Sequence, residues 1–476
     1  MNTHLFTDWK AGRVTLLALA SSLLFSGCGI YTKYQRPDDL PTDSLFDKSL
    51  ALAAPAGTAD ETADEPASLA LLSWRELYRD ARLQSLIEEA LQQNTDLLAA
   101  RQRIKEAEAT LLSARLAYLP SFMLTPQGGV SSFDKSKGSW TYTAVASASW
   151  EVDIFGRLTN AKRRAKALYL QSRDYEQAVT SSLVANVANL YYTLLMLDDQ
   201  LRISEETAAN WHESVNTMKA MMAAGMTNEA AVSQSEATCR QVEASVLDLR
   251  QQIDEVENSL SIILGHVPGD IARGTLAGQE FPQELAVGIP LQLLSHRPDV
   301  KSAEQSLAMA FYGTNAARSA FYPSITLSGT AGWTNSAGSM VINPGKVLAS
   351  AVGSLVQPIF NKGVNIANLK IAKAQQEEAK LAFRQALLNA GSEVNDALVQ
   401  VQTARDKAQL RSGQVASLET AVRSTELLMK HGTTTYLEVL TARQGLLSAR
   451  LSQVADRFSE IQGIINLYQA LGGGCE

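Results

Sequence analysis

The sequence predicts a mainly α-helical chain, internally duplicated, with a short strand-bearing section in each copy. Three observations predict this. The stretch "ARLAYLPS" at residues 114–121 recurs as "ARSAFYPS" at 317–324, 203 residues later. Residues 157–224 contain neither Gly nor Pro, a run long enough for a helix of roughly 100 Å at 1.5 Å per residue. Between the repeated phrase and that run, polarity alternates with a period of two, the mark of a strand.

Composition sets the outer bounds. The chain has 476 residues, 46% hydrophobic and 19% charged, which excludes a disordered class. A net charge of -7 and a pI near 5.5 argue against a nucleic-acid partner, which calls for a basic face. At the N-terminus, Lys10 and Arg13 precede an apolar run at 14–25 and then Ser26-Gly27-Cys28. This reads as a signal peptide over 1–27, too short to span a bilayer. A small-small-Cys ending resembles the lipobox of bacterial lipoproteins, in which cleavage precedes the Cys and the Cys is acylated. Phe25 stands where Leu is usual. The competing reading is an ordinary signal with an incidental thiol; lipidation of Cys28 is the expectation carried forward. Residues 28–70 read as a lipid-anchored tether, because 38–68 are rich in Asp, Ala, Thr and Pro without a period. No later segment is apolar enough for a membrane helix, so any further crossing must be made by a closed β-barrel.

The duplication extends well beyond one phrase. Asp96 matches Asp299 and Pro120 matches Pro323 at an offset of 203; Phe155 matches Phe360 at 205; Gly225 matches Gly432, and Leu264-Gly265 matches Leu471-Gly472, at 207. The expected units are 71–270, with a strand pair at about 121–153 and a helical hairpin at 157–264, and 271–476, with a strand pair at about 324–358 and a hairpin at 363–471. The first helix of a unit shows as Ala100, Ile104, Ala107, Leu111, Ala114 and Tyr118, a 4-3-4-3-4 stripe. Pro120 and Pro323 stop these helices and mark helix-to-strand junctions. In the strands, Tyr142, Ala144, Ala146, Ala148, Trp150 and Val152 oppose Thr141, Thr143, Ser147, Ser149 and Glu151; Ile325, Leu327, Gly329, Ala331 and Trp333 oppose Thr326, Ser328 and Thr330. An apolar-out, polar-in strand of this length fits a transmembrane barrel, and it equally fits a soluble hairpin over a core. Composition alone leaves both open. Trp150 and Trp333 are accordingly either interfacial belt or core residues.

Phe155 and Gly156 in the first unit, and Phe360 and Gly363 in the second, mark the strand-to-helix junctions. Asp153 and Arg157 flank one of them, and capping is the preferred role over ligand binding. The long helix then carries two adjacent stripes, Leu183, Val187, Leu190, Leu194, Leu197, Leu201 and Val184, Ala188, Tyr191, Leu195. Two seams require neighbours on two sides, as in a wall of helices. The return helices repeat the pattern from Val242 to Ile263 and from Leu447 to Tyr468. Four strands cannot close a barrel, since the smallest membrane barrels have eight, so a membrane role requires several chains to pool their strands.

"WEVDIFGR" at 150–157, "HRPDVKSAEQSL" at 296–307, "ARSAFYPSITLSG" at 317–329, "LVQPIFNKG" at 355–363 and "CGIYTKYQRPD" from Cys28 resemble the TolC-like outer-membrane factor family, and within it the lipoprotein branch that serves multidrug efflux. The resemblance covers residues 28 to about 474. One departure is Cys475 after "LGGG", where an aromatic residue is expected. The resemblance implies a homotrimer with a twelve-stranded outer-membrane barrel and a periplasmic α-helical barrel, anchored by lipid. It implies a periplasmic adaptor and an inner-membrane pump of the RND class as partners, passive exit of drugs or other small molecules, and an inner end closed by acidic residues near a hairpin tip. Glu438, six residues after Gly432, matches the acidic constriction position, whereas Thr441 departs from a second acidic one; the first unit has Ala231 in place of Glu438. A plain acidic helix start is the other reading of Glu438. Arg297-Pro298-Asp299 reads as a helix start.

Rival classes are a type I secretion channel of the same fold and, with less support, a periplasmic adaptor lipoprotein, which would carry one hairpin flanked by small β-domains. No enzyme is expected: there is no P-loop and no G-x-S-x-G, and His4, His212, His266, His296 and His431 have no zinc spacing to one another. No cofactor or metal is expected, and Cys239 and Cys475 read as free thiols.

Overall fold

The structure is a computed structural model that describes residues 32–37, 69, 72–132, 134, 137–281, 297–334 and 347–475. Cys28, the signal segment and most of the expected tether lie outside the described residues. Along the chain run α1 (Trp74–Leu77), α2 (Ala81–Gln93), α3 (Thr95–Leu116), β1 (Ser121–Ser131), β2 (Ser139–Val152), α4 (Arg157–Ala223), α5 (Glu229–Leu264), a 3-10 turn (Leu276–Gly278), α6 (Pro298–Ser319), β3 (Ser324–Thr334), β4 (Val347–Val356), α7 (Val364–Lys430) and α8 (Tyr436–Ala470). Among the described residues the fold is therefore mainly helical with four strands. None of the described helices is long and apolar enough to cross a membrane.

The element bounds show the duplication directly. α3 and α6 are both 22 residues, and β1 and β3 both 11, each pair offset by 203. α4 and α7 are both 67 residues, offset by 207. The change from 203 to 207 falls inside the strand pairs: Ser121 pairs with Ser149 and Ser324 with Val356, so four extra residues lie between β3 and the end of β4. The register also corrects one sequence match. By the 207 offset, the position equivalent to Phe155 is Lys362, and Phe360 lies two residues earlier. The likeness of "DIFG" and "PIFN" is one of local sequence; backbone pairing sets the true correspondence.

The chain divides into two compact units. One holds the strands, the adjoining ends of α3, α4 and α7, most of α6, and residues 32–37. Its sheet is an antiparallel meander, β1-β2-β3-β4, with β1 and β4 at open edges. The register aligns like with like: Leu124, Ala146, Ala331 and Ala349 lie in one row, and Met123, Ser147, Thr330 and Ser350 in the next. One face is therefore apolar on all four strands and the other largely hydroxyl-bearing. Residues 32–37 lie against this unit. The Tyr34 ring meets Phe311 edge-on at 6.0 Å, and Arg36 donates through Nε to Glu304 Oε1 at 3.0 Å with its guanidinium 5.7 Å from the Phe383 ring centre.

The other unit holds the remaining helix lengths around one apolar core. Trp74, Leu77 and Tyr78 fill it from α1 and its end, with Leu83 and Ile87 of α2, and all five are fully buried. They pack against the Leu183–Leu197 stripes of α4 and against Ile461, Ile464 and Tyr468 of α8. Both stripes of α4 face this core: Leu183, Val184, Val187, Ala188, Tyr191, Leu194, Leu195 and Leu197 are buried, and Leu190 and Leu201 are partly buried against them. Arg273 locks the loop after α5 by donating from Nε and Nη2 to Asp198 at 2.5 and 2.9 Å and from Nη1 to Glu257.

Candidate functional site

α3 and α6 end four residues before Pro120 and Pro323, in matching turns. Tyr118 and Leu119 N–H donate to Arg115 and Leu116 carbonyls, and Phe321 and Tyr322 N–H to Arg318 and Ser319 carbonyls. Proline has no N–H to continue either helix, and the next residue opens β1 or β3. The freed carbonyls find side-chain donors from the far side of each pair: Trp150 Nε1, near the end of β2, donates to Tyr118 O at 2.9 Å, and Gln357 Nε2, just past β4, to Phe321 O at 3.0 Å. These donors stand 207 residues apart.

At the return junction, Asp153 accepts from Leu158 N at 2.9 Å and Thr159 N at 2.8 Å, capping the start of α4. Arg157 turns to Glu151 instead, at 2.6 Å from Nε. Phe155 stacks on Tyr322 with ring centres 5.0 Å apart. Phe360 has no such cover and is 85% exposed, with Ile359 at 96%. Gly156 and Gly363 both have positive φ, and their carbonyls accept the first helical bonds, from Asn160 N and Ala367 N.

The apolar strand face is uncovered in the single chain. Phe122 is 79% exposed, Trp140 78% and Leu124 70%, and Trp150, Leu327, Trp333 and Leu355 are exposed too. Among the described residues, Trp150 and Trp333 are therefore surface side chains of the single chain. Trp150, Trp140 and Trp333 stand toward the strand ends, and Ala144, Ala146, Ala148, Ala331, Ala349 and Ala351 fill the middle.

The two hairpin turns are alike. Gly225 and Gly432 take φ of 71° and 69°, a region that costs other residues about 1–2 kcal/mol. In each, the glycine N–H and the next N–H close the helix by bonding back to Met222 and Met221, or to Met429 and Leu428. The starts of the return helices differ. Asn228 caps α5 by accepting from Ala231 N at 3.0 Å. Thr435 gives α8 no side-chain cap. Glu438 lies in that first turn, exposed, its carboxylate accepting from Thr434 Oγ1, and its charge favours the uncapped dipole end. Thr441 is exposed and donates to Leu437 O at 2.9 Å. Sequence reading missed Tyr436, whose hydroxyl meets both Ser235 Oγ at 2.7 Å and Ser214 Oγ at 3.2 Å, tying α8 to α4 and α5.

Sequence reading also gave Arg297 too small a part. Pro298 opens α6 and Asp299 lies in its first turn. Arg297, with a side chain only 8% exposed, donates to Asp299 at 3.0 and 2.7 Å, to Glu393 at 2.6 Å and to Ala470 O at 2.9 Å. In the first repeat, Asn94 donates to Ile263 O at 3.0 Å while accepting from Asp96 N and Leu97 N. Asn94 and Arg297 are 203 apart, Ile263 and Ala470 207 apart. The two residues thus perform one task, fastening the start of a repeat to the end of its return helix. Burial raises the Asp299 carboxyl, but the Arg297 guanidinium outweighs it and holds the group below its ordinary range.

A model of the outer membrane efflux protein family matches residues 86–266 and 289–473. The chain belongs to the outer membrane efflux protein family. This efflux protein is 30% identical over 465 residues to the cation efflux system protein CusC of Escherichia coli K12, covering 96% of this chain and 99% of that one. It is 28% identical to the probable outer membrane lipoprotein SilC of Salmonella typhimurium, covering 97% and 99%. It is 29% identical to the toluene efflux pump outer membrane protein TtgC of Pseudomonas putida, covering 97% and 96%. The crystal structure of CusC superposes with a TM-score of 0.79 at 29% identity, over 86% of this chain and 98% of that one. The protein is an outer-membrane channel component of an efflux system, as the motifs from Trp150 to Gly363 led us to expect. Its relatives are transport proteins.

Proposed function

We propose that three copies of this efflux protein close one twelve-stranded barrel in the outer membrane and continue it as a helical conduit into the periplasm. The observation that carries this is the sheet: four strands, two open edges and an uncovered apolar face. In lipid every backbone N–H and C=O needs a partner, so the edges of β1 and β4 must pair with other copies. Head-to-tail pairing closes as a ring. Pro120 and Pro323, and the Phe155-Gly156 and Phe360–Gly363 segments, are then the points at which six strand pairs per ring enter and leave the membrane. In this reading the chain has no catalytic centre and moves cargo passively, with energy from an inner-membrane pump of the RND class coupled by a periplasmic adaptor. The relatives' names specify cations for one and toluene for another, which fits cargo being chosen upstream of the channel. Cys28 is the acylation site, supported by its lipobox and by the lipoprotein relative SilC. Metabolic labelling with palmitate should mark the wild-type chain; an equally labelled Cys28→Ser variant would refute the assignment.

Glu438 is the acidic constriction of the inner end, three carboxylates facing one another across the pore, with Thr441 a neutral neighbour one turn on. A carboxylate ring attracts cations and repels anions. In planar bilayers the purified protein should conduct with cation preference, and Glu438→Gln should reduce that preference with conductance retained. An unchanged ion preference in the variant would remove Glu438 from the pore.

A further inference from the structure

We propose that His212, Cys239 and Glu243 form a binding site for a divalent cation of the zinc class, bridging α4 and α5. Among the described residues this is the one group of at least three His, Cys, Asp or Glu side chains whose ligand atoms converge: the imidazole nitrogen, the thiol sulfur and a carboxylate oxygen all lie within 4.8 Å of one another. Cys239 and Glu243 are four apart on α5 and share one face, one turn apart. His212 reaches them from α4, and its Nε2 lies 2.7 Å from Glu243 Oε1. α5 alone supplies two ligands at i and i+4, and α4 must supply the third. The site exists because the turn at Gly225 folds α5 back, placing His212 and Cys239 at 13 and 14 residues on either side of it.

The donor set decides the class of ion. Thiolate, imidazole and carboxylate together suit zinc and its neighbours, and leave hard, all-oxygen cations poorly served. A tetrahedral ion with bonds of about 2.0–2.3 Å needs ligand atoms roughly 3.3–3.8 Å apart, so side-chain rotations on the order of 1 Å close this set. Access is open, since the side chains of His212 and Glu243 are 62% and 45% exposed. The inner wall is fixed: Cys239 is buried in a cluster with Trp211, Val215, Val242 and Leu440, which holds the sulfur at the floor of the site. Three protein ligands leave a fourth position for water. The bland alternative is a His–Glu pair beside a packed thiol, and the two differ in whether sulfur binds the metal.

The test uses the full-length, detergent-extracted protein titrated with Co2+ and then with Zn2+. The expected result is one Co2+ per chain, with the intense thiolate-to-cobalt charge-transfer band and the visible bands of tetrahedral Co2+, both erased by Zn2+. The charge-transfer band should persist in Cys475→Ser and vanish in Cys239→Ser. His212→Ala and Glu243→Gln alter exposed side chains that the core does not need, and each should weaken Zn2+ binding by about tenfold or more, as even supporting residues of metal sites do. A wild-type spectrum without the charge-transfer band, a band that survives Cys239→Ser, or Zn2+ affinity unchanged in both His212→Ala and Glu243→Gln would overturn the proposal.

Discussion

Arg297 and Asp80 show what single residues contribute to the helical part of the molecule. Arg297 is buried and fastens three partners through four hydrogen bonds, so Arg297→Met removes its bond to the Ala470 carbonyl and leaves the Asp299 and Glu393 carboxylates without their guanidinium partner. Because those carboxylates are about half exposed, the loss expected is about 1–3 kcal/mol, below that of a fully buried pair. Asp80 caps α2 and accepts from Tyr191 Oη at 2.6 Å and Gln279 Nε2 at 3.0 Å. Burial raises its carboxyl, yet these bonds outweigh burial and hold it below its ordinary range, as Arg297 does for Asp299. A carboxylate depressed in the folded state adds stability that is complete above its unfolded pKa, about 3.9, and is lost as pH falls through the folded value. Thermal unfolding should therefore be level from neutral pH to about pH 5 and decline below about pH 4, and the acid decline should be shallower in Arg297→Met. A variant with wild-type stability at neutral pH would show that the fastening is dispensable. "RPD" was legible as a helix start because proline and aspartate act locally. The role of the arginine was not, because its main-chain partner lies 173 residues away.

At the scale of elements, the strands were readable from their alternation and the helices from their stripes, since both periods are written in neighbouring residues. Register was not, as the displaced match of Phe155 with Phe360 shows; pairing is set by backbone contacts between distant segments. Once known, it predicts the contact between copies in the proposed ring. A residue of β2 corresponds to one 207 later in β4, and a residue of β3 to one 203 earlier in β1. The Ser147–Thr330 pair inside the chain thus maps onto Ser354 of one copy facing Gln127 of the next. Both sit on the hydroxyl-bearing face. Cysteines placed as Gln127→Cys and Ser354→Cys should form an inter-chain disulfide on oxidation, since directly opposed strand residues hold their Cβ atoms about 4.5–5.5 Å apart. The same ladder sets Ile359 opposite Phe122, matching two of the most exposed apolar side chains. Cross-linking that instead favours Ser354→Cys with a cysteine one position away, at Pro126 or Gly128, would place the wrong face inward and refute the register.

At the scale of the whole molecule, the proposed assembly makes a chain with four described strands one third of a closed pore. The duplication, the period-two alternation and the long Gly- and Pro-free helices were legible in one sequence. The need for other copies was legible only as arithmetic, because open edges and an uncovered face appear once the strands are laid side by side. The twin turns at Gly225 and Gly432 and the paired fastenings at Asn94 and Arg297 give each copy two near-equivalent hairpins, so three copies would present six around one axis. Electron microscopy of the detergent-extracted full-length particle tests this most directly. The proposed trimer should appear as hollow, threefold-symmetric rods with a helical shaft on the order of 100 Å long. Monomeric particles without a central pore would contradict it.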